Sequence, residues 1–444
     1  MYMLAFGVHE TLPCRYQRLN MIPSHIISED SFSFEGLLRA GDHVVCGQAC
    51  AEPISLTKKL VSHCRALNQP VSVFVGALFS STFDSVPESM KFSSYGAIGR
   101  ASVIADKQGL DIICERYSRL ASLFAKGSLK ADVVLLQTAM DATGKLSFGL
   151  ASDYVIDAAR KARIVVAEIN SLSPWTYGTP WPEDIRIDQW VHTELPPVVL
   201  SESRINSVIQ AIVENVASII PNGATIQVGV GAIPDAALDA LKGHHSLGLH
   251  SGVLGDAGTR LIHLGVIDNS RKEADKGISV ANTLCASLVT YRFANLNPQI
   301  EIRHTRFTHS ADILSQFNNL YAINGALEVD LTGQVNCEQL HGRQLGGIGG
   351  LLDFARAARE SANGRSITVL PASSTLGGHK ISRIVANLND RPATISRADV
   401  DVVITEFGTA HLRDVSIAER ARRLITIADP DFRDELTSQL QNII

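Results

Sequence analysis

The chain has 444 residues, 45% of them hydrophobic and 19% charged, which exceeds one ordinary hydrophobic core and reads as two folded domains of roughly 100–200 residues each. A formal net charge of −5, with no dense Lys/Arg run, excludes function through non-specific affinity for nucleic acid. No apolar stretch reaches the roughly 18–20 residues of a membrane helix, and the opening MYMLAFGVHETLPCRYQRLN lacks the charged-then-apolar order of a signal peptide, so a soluble cytoplasmic protein is expected.

The first twenty residues show no clear period and precede Met21; they read as a flexible arm or an artefact of start-codon choice. Strand-like runs then alternate with helix-like ones: HVVCG (43–47), VSVFVG (71–76), DVVLLQ (132–137), RIVVAEI (163–169), TIQVGV (225–230), SITVL (366–370) and VDVVIT (400–405). Several are unbroken β-branched apolar runs, the pattern of strands buried on both faces of a mainly parallel sheet covered by helices. The class is therefore α/β. Residues 170–200 concentrate five prolines and all three tryptophans and read as the connection between the domains, 1–190 and 200–444. An internal echo flanks it. In both 35–60 and 218–241 a Gly (Gly41, Gly223) precedes a strand, a second Gly follows (Gly47, Gly229), and a Pro (Pro53, Pro234) leads into a helix, as a duplicated domain would read.

Several segments could carry chemistry. In the first half, Gln48 and the segment from Gly76 to Phe79 follow strands, where open α/β sheets place ligands. QVGVGAIPDAAL (227–238) runs a strand into Gly229 and Gly231 and then a helix around Pro234, a loop whose amides suit a phosphate or an oxyanion, although a structural turn fits it as well. The histidines His244, His245 and His250 lack metal-ligand spacing, and no metal site is expected. Glu328 and Asp330 are two apart on a strand-like stretch and share a face, either as an exposed polar face or as a functional pair. LGGIGGLLDFARAAR (345–359) places four glycines before a helix, near Arg343, Arg356 and Arg359. PASSTLGGHKISR (371–383) offers His379, Lys380 and Arg383, side-chain types that neutralise phosphates. The seven cysteines have irregular spacing and no CxxC pair, and read as reduced small hydrophobes.

In order, GDHVVCGQACAEP, QVGVGAIPDAAL, ALEVDLTGQVN, GGIGGLLDFARAA and ITEFGTAHLRDVSIAERARRLITIADPDFR resemble the acetyl-CoA hydrolase/transferase family, which includes 4-hydroxybutyrate, butyrate and succinate:acetate CoA-transferases. The resemblance runs from about residue 35 to the C-terminus. It implies two similar open α/β domains of the CoA-transferase type, with acyl-CoA bound as substrate, largely by the second, and no fixed cofactor. Carried over by motif, the CoA contacts are Gly229, Val230, Gly231, Ala232 and Ile233, with Asn336, Gly349 and Lys380. The activity implied is transfer of CoA between a short-chain acyl-CoA and a carboxylic acid; a homo-oligomer is expected from the size of the chain alone, as is common for soluble enzymes.

One departure is central. Family transferases carry a nucleophilic glutamate in a segment similar to G-x-H-T-E-M. Here GLHSGVLGD (248–256) matches at His250 and Ser251 but places Gly252 at the glutamate position. A carboxylate is needed there because attack on a thioester gives an anhydride that CoA thiolate can re-attack. Three readings follow: another carboxylate serves, Glu328 first and Asp256 next; water or the acid attacks directly, giving a hydrolase or a ternary-complex transferase; or the chain binds CoA esters without turnover.

Overall fold

The apolar β-branched runs form strands buried on both faces, and these pair in parallel into two large sheets. The computed structural model describes residues 25–200 and 205–440, so the expected arm over 1–20 lies outside the described residues. The first half supplies β1 (Ile26–Ser28), β2 (His43–Cys46), β3 (Val71–Phe74), β4 (Met90–Ser94), β5 (Asp111–Ile112), β6 (Val133–Met140), β7 (Leu146–Ser147), β8 (Ile164–Asn170), β9 (Tyr177–Gly178) and β10 (Gln189–Thr193). All but β9 lie in one nine-stranded sheet of order β1-β10-β8-β6-β2-β3-β4-β5, with β7 antiparallel to β6 and the other pairs parallel.

The second half adds β11 (Thr225–Val228), β12 (Gly248–Leu254), β13 (Ser279–Leu284), β14 (Ile300–Ile302), β15 (Leu320–Gly325), β16 (Glu328–Asp330), β17 (Val335–Asn336), β18 (Gln339–Leu340), β19 (Arg343–Gln344), β20 (Arg365–Val369), β21 (Ser373–Leu376), β22 (His379–Ser382), β23 (Ile384–Val385), β24 (Val402–Thr405) and β25 (Gly408–His411). The second large sheet has the order β25-β24-β20-β15-β11-β12-β13-β14-β9, parallel except for the β24–β25 hairpin. Smaller sheets, β17-β16-β23 and the hairpins β18-β19 and β21-β22, lie outside it.

The two large sheets repeat one topology. Read in space, β10-β8-β6-β2-β3-β4-β5 of the first corresponds, strand for strand and in the same chain order, to β24-β20-β15-β11-β12-β13-β14 of the second. The sequence echo falls on equivalent strands, β2 and β11. Each is preceded by a left-handed glycine, Gly41 (φ 85°) or Gly223 (φ 80°), and followed by a helix, Ile54–Leu67 or Ala232–Asp239. The proline- and tryptophan-rich stretch belongs to both sheets: its β9 is the edge strand beside β14, whereas its β10 pairs with β8 in the first.

The core of the second sheet continues across the junction to Ala49, Cys50, Ala77 and Leu150 of the first half, so the halves share one apolar seam. An ion pair reinforces it. Asp157, on the short helix Val155–Ala159, accepts from Arg306 Nη2 at 2.8 Å, and His304 Nε2 stands 3.1 Å from its other oxygen. No helix among the described residues is long and apolar enough to cross a membrane.

Burial raises the Asp157 pKa, but His304 and Arg306 together outweigh it and leave the carboxyl below its ordinary value. A carboxyl depressed in the folded state adds stability above its unfolded pKa, here 3.8, and loses it as pH falls through the folded value. The Asp157→Asn variant is therefore expected to be less stable by about 1–3 kcal/mol at neutral pH. In thermal melts its gap from the parent should close once the pH drops below that value; a gap independent of pH would contradict the assignment.

Candidate active site

The parallel strands of both sheets end at one place, where a cavity of ≈ 470 Å³ opens between them. Its first-half wall is built from strand-end residues: Gln48 after β2, Ala77 and Phe79 after β3, and Tyr95 after β4, joined by Ile98 and Tyr117. The second half contributes the loop Gly229–Ile233 after β11, Gly252 in β12, the end of β13 from Asn282, the end of β15, and the stretch Leu345–Leu351. Ligands at the carboxyl ends of strands are the rule for open α/β sheets, and here two such ends face each other.

Close approach of the two halves depends on glycines. Gly96 and Gly347 form an antiparallel bridge across the junction. A Cβ on Gly347 would lie 2.6 Å from the Gly96 Cα and 2.6 Å from the Tyr95 carbonyl oxygen. Around this seam runs a neutral hydrogen-bonded chain. Tyr95 Oη donates to Gln48 Oε1 (2.8 Å), Gln48 Nε2 donates to Tyr117 Oη (2.6 Å), and Tyr117 Oη donates to Asn282 Oδ1 (2.9 Å) in the second half. Burial holds both phenols well above their ordinary pKa, so they remain protonated donors.

The glycine loop after β11 lines the cavity from Gly229 to Ile233, and so does Gly349. Gly231 has φ 143°, a conformation that side chains rarely adopt, and it leads directly into the helix Ala232–Asp239. The other motif-derived positions lie elsewhere. Glu328 is buried in the small β17-β16-β23 sheet, ion-paired with Arg391 and accepting from Asn336 Nδ2 at 3.0 Å. Asp330, on the same face, accepts from Thr332 and Gln334 and holds the turn that follows. Asn336 also donates to the Gln339 carbonyl, at 2.6 Å. Lys380 sits on the exposed β21–β22 hairpin, 2.8 Å from an oxygen each of Asp429 and Asp431. None of Glu328, Asn336 and Lys380 lines the cavity. Asp256 does not either; its carboxylate accepts from Ser287 Oγ (2.7 Å) and Thr290 Oγ1 (2.6 Å).

Of the basic residues expected near the glycine cluster, Arg343 pairs with Asp106 and Arg356 with Asp399. None of the described residues lining the cavity is Asp, Glu, Lys or Arg. Ser251 is structural: its Oγ donates to the Val228 carbonyl (3.1 Å) and accepts from the Val228 amide (3.2 Å), tying β12 to β11 where their register ends. His250 is fully buried; burial first and Lys272 second push its pKa down to about 3, and its Nε2 meets the Thr308 carbonyl at 3.0 Å. No group of three or more His, Cys, Asp or Glu among the described residues is placed to hold a metal ion.

Gly252 is open to the cavity, and His309 stands beside it. A Cβ on Gly252 would lie 3.1 Å from His309 Nε2, and one on Gly350 only 2.5 Å from the same atom. The ring packs edge-on against Tyr117 (centroids 5.0 Å apart) and Phe354 (4.8 Å). The sequence offered no local sign of this: RHTRFTHS (303–310) is a short polar stretch, and the glycines that admit the ring are distant in the chain.

Two topologically equivalent parallel sheets with a cavity at their facing carboxyl ends define a fold of the CoA-transferase type. The chain belongs to the acetyl-CoA hydrolase/transferase family, whose N-terminal domain description matches residues 31–221 and whose C-terminal domain description matches 287–440. It is 38% identical over 327 residues to the 4-hydroxybutyrate coenzyme A transferase of Clostridium kluyveri, covering 73% of this chain and 76% of that one. It is 29% identical over 416 residues to the butyryl-CoA:acetate CoA-transferase of Anaerostipes caccae (90% and 92%). The crystal structure of RipA from Yersinia pestis superposes with a TM-score of 0.83 at 30% identity, covering 92% of this chain and 95% of RipA.

If the Gly96–Gly347 contact sets the cavity, Gly347→Ala should force the glycine cluster away from the first half and weaken CoA binding by about 1–3 kcal/mol. Calorimetric titration with CoA checks this, and unchanged affinity would show that the contact does not shape the site.

Proposed function

We propose that this chain is a CoA-transferase moving CoA between a short-chain acyl-CoA and a carboxylic acid of the acetate, butyrate or 4-hydroxybutyrate kind, with the acid itself as the attacking group. The single observation behind the direct route is a cavity at the family's nucleophile position that is lined, among the described residues, by no carboxylate. The Gly229–Ile233 loop and Gly349 supply backbone N–H groups suited to the anionic parts of CoA, and we assign CoA binding to them. Asn336 and Lys380 support the loops behind the cavity in this reading, and Glu328 is structural through its pairing with Arg391.

The reaction needs no nucleophile from the protein when both substrates occupy one site. An oxygen of the acid's carboxylate bonds to the thioester carbon and the C–S bond breaks, giving an anhydride and CoA thiolate. The thiolate then bonds to the acid's carbonyl carbon, and the first acyl group leaves as a carboxylate. Holding the partners in contact replaces an encounter in solution, an effect that reaches about 10⁵–10⁸ M in effective concentration. Within the first-half wall, Ala77, Phe79, Ile98 and the Tyr95 ring offer an apolar surface that fits the short tail of such an acid, which supports acid specificity on that half.

Hydrolysis is the second reading, favoured by the opening of Gly252 onto the cavity, where water could take the acid's place. Initial rates with acyl-CoA and acid varied together separate the mechanisms. Direct attack gives intersecting lines in reciprocal plots and no borohydride-trapped protein adduct. Parallel lines with an adduct on any carboxylate would overturn the direct route. CoA release that does not require acid would move the assignment to hydrolase, and tight binding without turnover would leave a non-catalytic CoA-ester binder.

A further inference from the structure

The glutamate position is empty on its own strand but is approached from another element. His309 ends the short helix Thr305–Thr308, anchored from below because the Thr308 carbonyl accepts from His250. The residue is 4% exposed and lines the cavity, and Nε2 is the ring atom nearest both glycines. Nε2 has no hydrogen-bond partner among the described residues, whereas Nδ1 lies 2.8 Å from Thr308 Oγ1. The helix Leu351–Glu360 begins beside it, with N-cap Gly350 in contact range of the ring, so the positive end of a ten-residue helix faces the same space.

The hydrogen-bond geometry favours one tautomer. The Thr308 hydroxyl has one proton and two acceptors in reach, Nδ1 at 2.8 Å and the His304 carbonyl at a marginal 3.5 Å. Donation to Nδ1 leaves the imidazole hydrogen on Nε2, toward the cavity, and this is the tautomer that the proposal below takes. Burial first, with His250 adding to it, pushes the His309 pKa down to about 3, so the ring stays neutral. A neutral imidazole with N–H outward is a donor and a poor base. Water attack on a thioester needs a base to take a proton, whereas exchange of CoA between two carboxyl groups moves no proton at all. The ring therefore suits the second chemistry.

We propose that His309 Nε2–H binds one carboxylate oxygen of the acid substrate and holds the other beside Gly252 for attack on the thioester carbon, so that the substrate's carboxylate stands where the family carries a glutamate. The proposal rests on the transferase reading above. It makes His309 a residue that touches substrate, with Gly252 and Gly350 conserving the space for its ring and for the acid.

The test uses the full chain with histidine ring nitrogens labelled, the His309 signal being assigned by its loss in His309→Asn, and titration with butyrate in saturating CoA. The His309 Nε2 resonance is expected to move with butyrate. In kinetics, His309→Ala should raise KM for the acid by about 10–100-fold, the effect of losing a hydrogen bond to a charged group. KM for acyl-CoA should hold, and His309→Asn, which keeps an N–H donor, should recover part of the loss. An unmoved resonance in a protein that still transfers CoA would overturn the proposal, as would a His309→Ala variant that loses only acid-independent CoA release, since the imidazole would then be activating water. A resonance that moves in a protein that transfers nothing would uphold the carboxylate site and sink the transferase reading instead.

Discussion

The site depends on one steric constraint: two polypeptide backbones must touch without side chains between them. Gly96 and Gly347 meet across the junction of the two sheets, and a methyl on either would fall within 2.8 Å of the other's Cα. That contact brings the carboxyl ends of two topologically equivalent sheets into one cavity. The Tyr95–Gln48–Tyr117–Asn282 chain then fixes the angle between the walls with neutral hydrogen bonds, none of which leaves a buried polar atom to compete with substrate charge.

A cavity lined, among the described residues, by no Asp, Glu, Lys or Arg has consequences for chemistry. Thiolate and carboxylate both bear one negative charge, and their exchange through an anhydride conserves it, so a fixed cation is not required to balance the reaction. What is required is that the anions meet donors in place of water, and in the proposed reaction backbone amides of the glycine loops and a neutral imidazole would provide these without a counter-charge that would trap one intermediate. The same neutrality makes a relocated protein nucleophile hard to place: Glu328 and Asp256, the nearest alternatives by sequence, already have their oxygens engaged by Arg391, Asn336, Ser287 and Thr290.

Much of the fold was legible because parallel strands buried on both faces require unbroken apolar runs, and all seven runs read from the sequence are sheet strands. The strands that escaped, such as β12 and β13, carry buried polar residues. His250 Nε2, Ser251 and Asn282 hydrogen-bond to partners distant in the chain, and no local pattern reveals those. The glycine loop at 229–233 and the cluster at 345–350, read from the sequence as candidate ligand loops, both line the cavity. Glu328 illustrates the opposite limit. Its spacing from Asp330 told which residues share a face, but what that face meets is Arg391, sixty-three positions on. His309 was invisible for the same reason, since its meaning comes from two distant glycines that leave room for it.

The central claim is that the acid substrate attacks the thioester itself, at a position where relatives would use the protein. A single turnover with enzyme in excess, unlabelled acyl-CoA and an acid bearing heavy oxygen in its carboxylate tests this most directly. Direct attack transfers one heavy oxygen to the carboxylate released from the acyl-CoA and leaves none on the protein. Heavy oxygen on a protein carboxylate, with the released acid unlabelled, would show a covalent route and contradict the account.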